Sequence, residues 1–153
     1  MKRIYRGGVS DLSDLLADAV ARLDAVPDDA LGDVRVRRFR AMRIVPTGRA
    51  WRLGDVLLTR DGRLYRAGRT TRAVEPKQFL ANKSNEAAER KAFQLAAVRG
   101  GFPAGDTVHF GYEPLDPELV DGVWMLQWSR TLPDLVPLER YLGDRIRLLT
   151  EGA

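Results

Sequence analysis

The sequence contains no cysteine. That excludes disulfides, thiolate metal sites and cysteine nucleophiles, and it fits a reducing, cytoplasmic setting. Histidine occurs once, as His109. A single imidazole cannot build a metal site without carboxylates, and none stands at a ligand spacing from it. Lysine is scarce, at four residues against 21 arginines. With abundant Ala, Gly, Asp and Leu, this is the bias of GC-rich coding, so the preference for arginine is not itself evidence of selected guanidinium chemistry. No window approaches 18 consecutive apolar residues, so no membrane-spanning helix is expected. The start, MKRIYRGGVSDLSDLL, lacks the apolar run and small-residue cleavage site of a signal peptide.

Catalytic signatures are missing too. The four serines, Ser10, Ser13, Ser84 and Ser129, lie outside any G-x-S-x-G pattern. There is no Walker A sequence and no G-x-G-x-x-G. No RNP signature, KH-type loop, zinc knuckle or helix-turn-helix is legible. No cofactor and no metal are expected.

What remains is a globular composition over 153 residues, 44% hydrophobic and 30% charged, the size of a single domain spanning 1–153. Its charge is unevenly placed. Residues 33–72 hold 12 arginines, no lysine and three acids, a net of +9, whereas residues 1–32 carry −2 and residues 73–153 carry −3. A basic block between two acidic ones gives a local positive field.

In the middle of that block, WRLGDVLLTRDGRLYRAGRT reads as a hairpin. Asp61-Gly62 suits a two-residue turn. This predicts Arg60 facing Arg63, Leu58 facing Tyr65 and Val56 facing Ala67, with Val56, Leu58, Tyr65 and Ala67 on the buried face. Residues 33–46 predict one strand with a bulge at Arg37-Arg38. Thr47-Gly48 reads as a turn.

Elsewhere, residues 2–6 suggest a short strand or arm, broken by Gly7-Gly8. Leu12, Leu15, Leu16, Ala19, Val20 and Leu23 make a helical stripe, capped by Ser10 or Asp11 and ended by Pro27. Residues 76–83 form a connection. Ser84 or Asn85 caps a second helix over about 86–99, with Ala88, Ala92, Leu95 and Ala96 inward and Glu86 pairing with Arg90. Residues 106–112 alternate as a half-buried strand with His109 at its rim. Residues 123–129 read as a central strand covered on both faces. Leu138–Leu142 suggest one helical turn and Arg145–Thr150 a last strand. The predicted class is α+β: a mostly antiparallel sheet of about five or six strands with two amphipathic helices packed on one face.

The basic block is the main functional candidate. Arg35, Arg37, Arg38, Arg60, Arg63 and Arg66 are the expected contacts to an anionic partner, nucleic acid first, as phosphate binders rather than readers of sequence. Phe39, Trp51 and Tyr65 are candidates for stacking on bases. Two alternatives belong to other classes. One is a subunit or scaffold protein, including a homo-oligomer, using the hairpin and the Trp124–Trp128 strand as an interface. The other is an enzyme or small-molecule binder with an aromatic pocket near His109.

Overall fold

A computed structural model describes residues 12–76 and 84–151. The arm at 2–6, the Gly7-Gly8 break, the cap at Ser10 or Asp11 and most of the 76–83 connection lie outside these residues. In chain order the described elements are α1 (Leu12–Leu23), β1 (Asp29–Arg35), β2 (Arg43–Leu53), β3 (Val56–Thr59), β4 (Leu64–Arg66), β5 (Arg69–Arg72), α2 (Asn85–Arg99), β6 (Thr107–Phe110), β7 (Glu113–Pro114), β8 (Glu118–Val120), β9 (Val123–Leu126), β10 (Val136–Pro137) and α3 (Leu138–Glu151). The α+β class holds, but the sheet is larger than expected and mixed. Hydrogen-bonded neighbours run β5-β6-β1-β2-β3-β4-β7, with β10-β9-β8 as a separate three-stranded sheet. The parallel pair is β1 with β6.

The chain divides into two compact units. The first takes residues 12–28, 51–66 and 113–151 of those described. Its core joins Leu16, Ala19 and Leu23 of α1 to Trp51, Leu53, Val56, Leu58 and Leu64 of the strands and Leu138, Tyr141, Leu142 and Ile146 of α3. The α1 stripe read from the sequence is therefore the buried one. Each such Leu or Ile contributes about 1.5–3 kcal/mol by leaving water. Helix α3 replaces the expected turn and strand. Its buried positions 138, 141, 142 and 146 repeat at helical spacing, and that stripe outweighs the strand propensity of RIRLLT.

The Asp61-Gly62 hairpin forms, with a different turn. Val56 pairs with Arg66, Leu57 with Tyr65 and Leu58 with Leu64. The loop has three residues. Gly62 N–H donates to Thr59 O and Thr59 N–H to Arg63 O, both at 3.0 Å, and Gly62 has φ +82°. This is the type I turn closed by a glycine bulge. The Thr59 hydroxyl selects it, bonding the Asp61 carboxylate and accepting from Arg63 N–H at 2.9 Å. A one-residue slip exchanges faces. Leu64, not Tyr65, joins Val56 and Leu58 in the core, and Thr59 rather than Arg60 stands opposite Arg63. The two-residue turn occurs instead at Asp121-Gly122, where Val120 pairs with Val123 and φ is +50° and +78°. Strand β9 is central to its small sheet, yet only Leu126 is buried, Trp124 and Met125 are half-buried and Val123 is exposed.

The second unit takes residues 29–50 and 67–112. Ala30, Ile44, Ala73, Ala96, Ala97, Phe102, Val108 and Phe110 form its core. The expected single strand at 33–46 is two antiparallel strands and the turn between them. Pairing runs from Asp29 opposite Ala50 to Arg35 opposite Arg43. Val34 and Val36, expected on an apolar face, are exposed. Thr47-Gly48 is no turn: Leu31 pairs with Gly48 and Gly32 with Pro46, leaving Thr47 as the extra residue of a bulge inside β2.

Helix α2 starts as expected, with the Ser84 hydroxyl accepting from Ala87 N–H at 3.1 Å. Its buried residues are Ala87, Ala96 and Ala97, while Ala88 and Ala92 are exposed. Glu89, rather than Glu86, finds an arginine: it bonds Arg69 at 2.7 Å. The helix ends against the sheet at Gly100, where a Cβ would lie 1.6 Å from the carbonyl oxygen of Ile44. Only glycine permits that approach.

Candidate nucleic-acid interface

The β1–β2 hairpin ends in the sequence RVRRFRA, residues 35–41, and every one of these side chains is exposed. Its last paired rung sets Arg35 directly across from Arg43, a like-charge pair that disfavours the strand pairing. Beyond the rung, Arg40 N–H donates to Arg37 O at 3.0 Å and closes the turn. Phe39 sits in that turn at φ +61°. This left-handed conformation costs a bulky residue about 1–2 kcal/mol, and its ring is 94% exposed. Arg38 lies over the ring, its Cζ 5.3 Å from the centroid.

Acids are sparse here. Arg35 approaches Asp33 at 3.9 Å. Arg37, Arg38, Arg40 and Arg43 make no ion pair among the described residues. Arg99, from the end of α2, adds a further cation. Arg43 Nη2 donates to Arg99 O at 2.9 Å, and Arg99 Nη1 donates to Met42 O at 3.4 Å. Six arginines thus gather at this end of the unit, and Asp33 answers one of them.

The second half of the expected site belongs to the other unit and is differently engaged. Arg60 bonds Asp28 at 3.1 Å and Asp24 at 3.2 Å, and its Cζ lies 4.6 Å from the Trp51 ring centroid. Arg63 pairs with Asp61 at 3.2 Å. Arg66 is half-buried and donates to Gln127 O at 2.7 Å. Trp51 is 1% exposed, so it cannot stack on a base, and Tyr65 is half-buried. Of the six arginines read from the sequence, Arg35, Arg37 and Arg38 come together at the hairpin tip. Arg40, Arg43 and Arg99 join them there. Arg99 lies 56 residues from Arg43 and outside the basic block, so no linear charge count finds it.

No family model, curated protein or solved structure matches the chain.

His109 is not at a rim. It is 1% exposed, and its Nε2 lies 2.8 Å from Asp29 Oδ2. Its segment is a strand, as expected, and β5 and β1 flank β6 on both sides. The buried Nδ1 has no hydrogen-bond partner. An imidazole so enclosed does not present itself to a substrate. Among the described residues, no three His, Asp or Glu side chains gather closely enough to hold a metal ion, and no helix is long and apolar enough to cross a membrane. Trp124 and Trp128 are partly buried and pack against the first unit's core.

Proposed function

We propose that this chain is a small polyanion-binding accessory protein that contacts nucleic acid through the tip of the β1–β2 hairpin. The observation that carries this reading is the tip itself: Arg37, Arg38 and Arg40 exposed without an acid partner among the described residues, around a ring that the fold leaves in water. The like-charge rung and the strained Phe39 both cost stability. Neither improves the packing of the unit, and an anion seated at the tip relieves the first. Residues held in such sparsely populated backbone regions cluster at ligand contacts. The guanidinium groups would neutralise phosphates and fix orientation rather than read bases.

The test is a titration of the full chain against oligonucleotides over a range of ionic strength. Binding should weaken steeply with salt, and Arg37→Ala, Arg38→Ala and Arg40→Ala together should weaken it further. Absence of binding at low salt would exclude the reading.

A further inference from the structure

The hairpin tip also says which nucleic acid it suits, an inference that rests on the binding reading above. We infer that the ligand is duplex DNA and that Phe39 is a wedge inserted between base pairs.

The number of exposed rings separates single strands from duplexes. Proteins that track single strands lay successive bases on several aromatic side chains along a basic groove. Among the described residues a single ring, Phe39, is exposed at the tip, while Trp51 is buried and Tyr65 half-buried. One ring at the narrow end of a two-stranded ribbon is a point, not a platform. A two-stranded β-ribbon is also an element that enters a groove of B-form DNA, major or minor, whereas the A-form major groove of duplex RNA is too deep and narrow for side chains to enter. Apolar wedges that unstack a base step are a recurrent device of proteins that bend DNA, and they act best at flexible pyrimidine–purine steps.

The flanking residues fit the same placement. Arg38 and Arg40 bracket Phe39 in sequence, and the backbone carbonyl of Arg37 accepts from Arg40 N–H across the turn. A ring driven into the base stack from a groove has phosphates on both sides, and arginine on both sides meets them. Arg38 already lies against the ring face, so a base replacing it keeps one stacked partner and releases the guanidinium to a phosphate. The same arrangement argues against a lipid surface. Among the described residues the tip has no charge-free apolar patch to insert, because Val36 and Phe39 each stand between arginines. Burying the ring in a membrane would drag Arg38 with it.

The experiment uses the full chain, fluorescently labelled duplex DNA containing 2-aminopurine at a TA step, the matching single strand, the same sequence as duplex RNA, and phosphatidylserine vesicles. The variants are Phe39→Ala and Phe39→Leu, both at a position so exposed that folding is preserved, as circular dichroism would check. The wild type should bind duplex DNA tightest and raise 2-aminopurine fluorescence. Phe39→Ala should lose affinity by about ten-fold, the scale of one stacked ring, and lose the fluorescence rise while keeping the salt slope. Phe39→Leu, still a wedge, should keep most of both. If Phe39→Ala binds and unstacks as the wild type does, the wedge is excluded and phosphate binding alone remains. Preference for single strands or RNA excludes duplex DNA. No nucleic-acid binding, or preference for vesicles, excludes the proposed function as well.

Discussion

Phe39 is the residue at which stability and the proposed function pull apart. Its φ of +61° is one that glycine adopts freely, and its ring makes little contact with the fold at 94% exposure. Phe39→Gly should therefore stabilise the protein by about 0.5–1 kcal/mol, the left-handed penalty less the extra chain entropy of glycine. A thermal melt should rise by about 1–4 °C, and duplex DNA binding should fall as for Phe39→Ala. A fall in melting temperature would show that the ring supports the hairpin. Asp61 makes a second prediction at this scale. The Thr59 hydroxyl, opposed by slight burial and assisted by Arg63, holds its carboxyl below the usual range. A lowered value in the folded state means the turn gains stability at neutral pH and loses it as pH falls through that lowered value. NMR titration of Asp61 should show the depressed midpoint, and Thr59→Val should move it upward. An unchanged midpoint in Thr59→Val would assign the shift to Arg63 instead.

At the scale of elements, Tyr141 ties α3 to the turn after β2. Its hydroxyl donates to Leu53 O at 2.7 Å and accepts from Asp55 N–H at 3.3 Å. Tyr141→Phe leaves both backbone groups without this partner and should cost about 1–3 kcal/mol in urea unfolding. Burial raises the phenol above its ordinary value, against smaller opposing effects from the Asp55 N–H and Arg145. A raised folded value means stability is intact at neutral pH and is lost as pH climbs through it. Alkaline unfolding should thus be weaker in Tyr141→Phe, and identical alkaline profiles would rule the latch out. Elements also show what a sequence discloses and what it hides. The α1 stripe and the Ser84 cap are legible, because period and capping chemistry are local. The hairpin at Asp61-Gly62 is legible as a hairpin, but its register depends on the Thr59 hydroxyl engaging Asp61, a choice between two turns that Asp-Gly allows equally. Helix α3 is hidden because the six residues of RIRLLT favour a strand, and the helical spacing emerges only over all fourteen. The candidate site is half legible. Arginine density marks the region, but ion pairing with Asp24 and Asp28 removes Arg60 from it, and those partners lie 36 and 32 residues away.

Across the whole molecule, the net of +9 over residues 33–72 is not carried by one unit alone. The two units divide it, and they treat their arginines differently. In the first, Arg52, Arg60 and Arg63 each have a carboxylate within 4 Å. In the second, Arg49 and Arg69 are likewise paired, whereas Arg37, Arg38, Arg40 and Arg43 collect at the hairpin tip. Counterion release gives this division a measurable consequence. Each phosphate of B-form DNA that the protein ceases to neutralise should flatten the slope of log K against log salt by about 0.9. Arg37→Ala, Arg38→Ala and Arg40→Ala together should flatten it by about 2.7. Arg52→Ala with Arg63→Ala removes the same kind of charge from positions already neutralised, and should leave the slope unchanged. Both sets touch exposed side chains, so both should fold. Net charge falls by three in one variant and two in the other. If binding followed net charge alone, the slopes would change in nearly that proportion. If the tip is the interface, the first variant changes and the second does not. An equal response would disperse the site over the whole surface and end the case for the hairpin.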